Sequence, residues 1–227
     1  MSYTAAQGII IIPLSTMHVA AKIPLAHLRT YFVDCAKTAP HIVSVGCGSG
    51  YVEAFLTANV DDDISRSRLV LVDPQPMSFN KIPVLPVHYS TVNELLVARP
   101  EVFRDCLLLL IWSDPDDSTY DYDAVMALEP KSILVLHERP GQEPNGSAAG
   151  RKMHGILREP AAYDYRLVCE TVYTGRSLNP VASLFAAMGA WQDFSQVRIT
   201  WLAKRGSAIP KKRQCHGVQA LVDAMKK

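Results

Sequence analysis

The chain has 227 residues, of which 48% are apolar and 20% charged, with a formal net charge of +1. Such a length supports one sizeable core, and such a composition excludes disordered, collagen-like and membrane-spanning chains. The near-zero total excludes a uniformly basic or acidic surface, but the charges are unevenly placed: residues 105–129 hold seven acids and no Lys or Arg, and residues 198–227 hold eight basic residues and one acid.

Residues 8–12 read as a short strand or an apolar arm. The run ends at Pro13 with no basic segment before it, unlike a signal peptide. No stretch approaches the roughly 20 apolar residues that span a bilayer, so no membrane contact is expected. Ser15-Thr16 reads as a helix cap. Residues 23–36 read as a helix with Ile23, Leu25, Leu28, Tyr31, Phe32 and Cys35 mostly on one face.

From residue 41 the element types alternate. A buried strand at 41–45 leads through a glycine loop into a helix at about 51–58. A second strand, 68–72, ends at Asp73-Pro74, and a third is expected near 82–88. Ser90-Thr91 opens a helix through Ala98, with Glu94 as capping-box partner. The run 106–112 is apolar on both faces, as a central parallel strand should be. An acidic loop, a helix near 121–128 and a fifth strand at 132–137 come next. Residues 141–150 read as a polar loop, 151–159 as a helix, and 166–173 and 196–204 as two later strands. Between these, 180–191 reads as a small-residue-rich helix or insertion. The pattern predicts an α/β fold: one domain with a doubly wound, mostly parallel, seven-stranded sheet and a short N-terminal helical extension over 1–40.

Cys35, Cys47, Cys106, Cys169 and Cys215 are odd in number and form no Cys-x-x-Cys pair. Neither a zinc site nor a disulfide framework is expected. Reduced thiols in a cytoplasmic compartment fit this usage.

The loop Val43-Ser-Val-Gly46-Cys47-Gly48-Ser49-Gly50 lies between a strand and a helix, where a doubly wound sheet holds nucleotide-like ligands. Glycines there permit a sharp turn and close approach of a ligand to the backbone. A phosphate-binding Walker loop would need a Lys that is absent. A dinucleotide fingerprint fails because the sixth position from Gly46 is Tyr51. The spacing is Gly-x-Gly-x-Gly, and an acid, Asp73, closes the next strand 23 residues after Gly50.

That ordered set resembles motif I and the following acidic mark of the class I S-adenosylmethionine (SAM) dependent methyltransferases. The resemblance implies SAM as cofactor, held by Gly46, Cys47, Gly48, Ser49 and Gly50, with Asp73 accepting from both ribose hydroxyls. It makes 41–138 the cofactor-binding half and 139–227 the substrate-side half. By position it sends His88 and Tyr89 to the adenine, unless they merely finish their strand. It sends Trp112 to the cofactor, and Asp114, Asp116 and Asp117 to the acceptor.

Asp114-Pro115-Asp116-Asp117 departs from the Asp/Asn-Pro-Pro-aromatic motif of amino-methylating members. Three carboxylates in four residues suit a cationic acceptor; the other reading is a solvated turn capping the next helix. The Lys-Asp-Lys-Glu set of RNA ribose methyltransferases is incomplete: Lys22, Asp114 and Glu170 match by position, but His137-Glu138 stands where the second Lys should be. His137 has a reference pKa suited to a base, and Asp114 and His137 are the candidate catalytic pair. Tyr120 borders the acceptor side with Trp112 and Tyr122, as pocket wall or as packing. The basic C-terminal tail, with Lys204-Arg205 and Lys211-Lys212-Arg213, is a candidate RNA contact or simply a solvated tail. The expected activity is methyl transfer to an unidentified acceptor: RNA, protein or small molecule. An inactive binding or assembly module and an aminopropyltransferase-like enzyme are the alternatives.

Overall fold

The structure is a computed structural model. It describes residues 10–14, 17–21, 25–48, 50–58, 68–74, 85–111, 119–138, 150–174 and 196–208. The chain opens with strands β1 (Ile10–Leu14) and β2 (Met17–Ala21), paired antiparallel as a separate two-stranded sheet. Of the run read as a short strand or an apolar arm, residues 10–12 are in strand, so the N-terminal extension is not helical throughout. Ser15 and Thr16, read as a helix cap, lie outside the described residues. The five-residue apolar run is too short to show whether it will find a pairing partner, and the hairpin supplies one. Helix α1 (Leu25–Ala36) comes next, as expected.

The main sheet comprises β3 (His41–Val45), β4 (Leu69–Val72), β5 (Cys106–Ile111), β6 (Ser132–Glu138), β7 (Tyr165–Thr174) and β8 (Gln196–Lys204). Its order is β4-β3-β5-β6-β8-β7. The first four strands are parallel, and β8 runs antiparallel to both β6 and β7. This sheet therefore has six strands among the described residues, against the seven expected. Residues 82–84 of the expected third strand lie outside the described residues. In its remaining part, Pro86 has no N–H to give a ladder. Tyr89 alone bridges β4, in parallel, through Val72. The backbone N–H groups of His88 and Tyr89 donate to Leu71 O, and Asp73 N–H donates to Tyr89 O. This segment thus covers the β4 edge without forming a strand.

Helices α1 and α2 (Tyr51–Thr57) pack on one face of the sheet. Leu28, Phe32 and Leu56 meet Ile42, Leu71, Leu107, Leu109 and Leu134 there. Helices α3 (Val92–Ala98), α4 (Tyr120–Leu128) and α5 (Arg151–Arg158) pack on the other, where Leu95, Val125 and Ile156 meet Val43, Val70, Leu108 and Val135. Every residue of β5 is buried, which explains why its sequence shows no polar alternation. As expected, the Thr91 side chain caps α3 by accepting from Glu94 N–H, and Glu94 accepts in turn from Ser90 N–H. No helix among the described residues is long and apolar enough to cross a membrane.

Candidate functional site

The site forms where β3 turns into α2. Gly46, Gly48 and Gly50 have φ of 73, 55 and 70°, all in the left-handed region that glycine adopts without a Cβ penalty. Gly46 N–H donates to Val72 O at 2.9 Å, tying the loop to the end of β4. Gly50 N–H donates to Cys47 O at 2.9 Å, closing the turn. A Cβ built on Gly48 would meet nothing within 4 Å, so this glycine faces open space. A Cβ on Gly50 would come within 2.8 Å of Leu85 Cβ, so this one is packed against the segment that covers β4.

Asp73 directly succeeds β4 and is buried. Its Oδ2 accepts the Gly48 N–H at 2.6 Å. The acid and the glycine loop, read from separate parts of the sequence, therefore converge. Burial, with Glu53 and Asp73 nearby, pushes the Cys47 thiol up, so it is protonated at neutral pH. Cys47 is a free thiol, as are Cys35 and Cys106. Cys169 is disulfide-bonded, which corrects the expectation of uniformly reduced thiols; the spacing of single cysteines along the sequence does not disclose which of them meet in space.

Sequence reasoning missed Glu53. It sits in the first turn of α2, is 2% exposed, and accepts the Ser44 hydroxyl through Oε1 at 2.7 Å. Burial pushes its carboxyl up to about 7, the Ser44 hydrogen bond pulls it down, and the charge of Asp73 adds a further upward push. The available signal was a polar residue, Ser44, inside an otherwise apolar strand: a buried hydroxyl requires a partner.

His88 is exposed, and its Nδ1 accepts the Leu71 N–H at 3.0 Å, which turns the ring back on β4. Tyr89 is half-buried beside it. Tyr120, at the start of α4, donates from its hydroxyl to Val72 O at 3.4 Å. It thus reaches the end of β4 next to Asp73. His137 is 1% exposed on β6, and its Nε2 lies 2.8 Å from Thr200 Oγ1. Thr200 Oγ1 also lies 3.3 Å from Glu170 Oε1, so this hydroxyl links the imidazole to the carboxylate. Glu170 is also paired with Arg198 at 2.8 Å, and the His154 ring of α5 stands edge-on to His137 at 6.0 Å.

No protein-family model matches the chain, and no curated protein is similar to it by sequence. Solved structures are similar in shape. Thermoplasma acidophilum protein 1320 gives a TM-score of 0.50 at 10% identity, over 80% of this chain and 89% of that one. A SAM-dependent methyltransferase from Anabaena variabilis gives 0.47 at 8% identity, over 78% and 81%. A precorrin-6y C5,15-methyltransferase from Geobacter metallireducens gives 0.46 at 10% identity, over 86% and 95%. The chain shares its α/β fold with Thermoplasma acidophilum protein 1320.

The glycine loop lies at the carboxyl ends of the strands, at the switch point beside β3. The structure brings Gly46, Cys47, Gly48, Gly50, Asp73, Tyr89 and Tyr120 together there. It places His137 apart from them, on β6 beneath α5. Ser49, Trp112, Asp114, Asp116, Asp117 and Lys22 lie outside the described residues, as do 209–227 of the basic tail.

Proposed function

We propose that the chain is a SAM-dependent methyltransferase. The observation that carries this reading is the convergence of three positive-φ glycines with the buried Asp73 carboxylate beside open space. The cofactor's fit rests on that cradle: space over Gly48 where any side chain would intrude, and a carboxylate at its rim able to accept from a diol. Gly46, Gly48 and Gly50 shape the cradle, Asp73 takes the ribose, and Tyr89 borders the adenine. When bound, the cofactor supplies an activated methyl on a sulfonium, so the protein mainly has to bind and orient.

The acceptor approaches from the carboxyl ends of β5 and β6, toward Asp114, Asp116, Asp117 and Tyr120. RNA is a candidate acceptor, with the basic C-terminal tail as its candidate contact.

Calorimetric titration with SAM and with its demethylated product tests the cofactor. Micromolar binding of both is expected, and no binding to folded protein overturns the reading. Transfer of labelled methyl from SAM into a cell extract, absent with Asp73→Ala, separates an enzyme from an inactive binding module. Putrescine-like amines tried with decarboxylated SAM test the aminopropyl alternative.

A further inference from the structure

Behind the glycine loop lies a carboxyl group to which the proposed methyl transfer gives no part. Oε1 of Glu53 accepts from Ser44, but Oε2 is buried with no hydrogen-bond partner. No salt bridge among the described residues includes Glu53. The groups that act on it are the Ser44 hydroxyl of β3, the like charge of Asp73 after β4, and the Cys47 thiol of the loop, which burial keeps neutral. A buried carboxyl facing a second acid and no cation favours its neutral form. A positive charge brought nearby reverses that preference, because Coulomb attraction is strong where water is excluded.

We infer that Glu53 is a charge-sensing positioning residue: a ligand with a fixed positive charge in the space over Gly48 and Asp73 draws Glu53 to its carboxylate form, whereas the uncharged-sulfur counterpart leaves it protonated. The inference rests on the SAM reading and deepens it. The proton leaves Glu53 for solvent when the sulfonium nucleoside binds, and it returns when the sulfur has become a neutral thioether. No covalent bond of the protein changes. The effect favours the charged cofactor over the product and so promotes exchange of one for the other.

Calorimetry of the full chain in buffers of different ionisation enthalpy reads proton release directly. SAM and S-adenosylhomocysteine are the probes, since they differ in the sulfur charge and share the amino-acid and nucleoside parts. At about pH 7, SAM is expected to release about half a proton more than S-adenosylhomocysteine, given a group that titrates near that pH. SAM affinity should rise about tenfold from about pH 6 to about pH 8 relative to that of S-adenosylhomocysteine. Glu53→Gln keeps the size of the side chain and an acceptor for Ser44. It should abolish the extra release and leave S-adenosylhomocysteine binding as before. Ser44→Ala removes the hydrogen bond that favours the carboxylate, and should move the SAM midpoint to higher pH even if Glu53→Gln does not fold.

Equal release with both ligands, or extra release that survives Glu53→Gln, overturns the inference while leaving the cofactor reading intact. An unmoved midpoint in Ser44→Ala does the same. Failure of the folded protein to bind either probe overturns both.

Discussion

The backbone N–H of Gly48 donates to Oδ2 of Asp73 at 2.6 Å, joining the loop after β3 to the end of β4. A carboxylate placed there has its acceptor geometry set before any ligand arrives. Replacing Asp73 with Ala removes the only acid offered to a ribose diol in this reading. Two charge-assisted hydrogen bonds are worth about 3 kcal/mol together, so affinity for S-adenosylhomocysteine should fall about 100-fold. Calorimetric titration checks this, and unchanged affinity in folded Asp73→Ala would remove Asp73 from the site.

Gly48 and Gly50 should respond differently to alanine. Both have positive φ, so each substitution carries a backbone penalty of about 1–2 kcal/mol. At Gly48 the added methyl meets open space, and the larger loss should be in ligand affinity. At Gly50 it would lie 2.8 Å from Leu85 Cβ and 3.2 Å from Leu71 Cδ1, adding an overpacking cost of about 1–3 kcal/mol. Chemical denaturation should therefore rank Gly50→Ala below Gly48→Ala in stability. The reverse order would contradict this packing.

The elements around this site were legible because their signals are local. Strand β5 is a continuous apolar run, β3 is apolar but for His41 and Ser44, the glycine spacing is unusual, and Asp73 directly succeeds a strand. What was not legible depends on partners chosen in three dimensions. Whether residues 10–14 find a mate depends on a hairpin that no turn signature announces. Residues 85–88 do not form a strand, and Pro86 among them has no N–H to give a ladder. The Ser44–Glu53 contact joins a strand to a helix, so neither periodicity shows it.

Glu53 should leave a mark on the pH dependence of stability. Its folded pKa, about 7, lies above the ordinary 4.5, so the native state holds the proton more tightly than the unfolded state. Its contribution is fully present below about pH 4.5 and is lost as pH rises through about 7. The shift corresponds to roughly 3 kcal/mol. Glu129 works in the opposite direction: hydrogen bonds from Arg104 and Lys204 hold it at about 2, so its contribution is present above the ordinary 4.5 and is lost as pH falls toward 2. Urea unfolding as a function of pH should show a decline between about pH 5 and about pH 8 that is absent in Glu53→Gln. A decline of equal size in the variant would assign it to another group.

Arg68 clamps the exit of α1. Its guanidinium donates to Pro40 O at 3.0 Å, to Ala36 O at 2.7 Å and also to Ala39 O. These carbonyls stand at or just beyond the helix end, where intrahelical donors run out. Arg68→Ala should cost about 2 kcal/mol, and Arg68→Lys should recover only part of it, because one ammonium does not reproduce a planar fork. Equilibrium denaturation of both variants checks this, and a Lys variant as stable as the parent would show that charge alone suffices.

Asp121 links two helices from a fully buried position. Its Oδ1 accepts Tyr122 N–H in the first turn of α4, and its Oδ2 accepts Gly150 N–H, both at 2.7 Å. Gly150 is the cap of α5, the helix that carries His154 over His137. Asp121→Ala strands the buried Gly150 N–H and removes a charged acceptor, for a cost of about 3 kcal/mol. The loss should begin locally. His154 N–H, bonded to Gly150 O at 3.1 Å, belongs to the first turn of α5, and hydrogen exchange there should accelerate before exchange in β5 does. Asp121→Asn keeps one acceptor oxygen and should fall between the parent and the alanine variant. Uniform acceleration across β5 and α5 in Asp121→Ala would mean that the carboxylate supports the whole core and not the seating of α5.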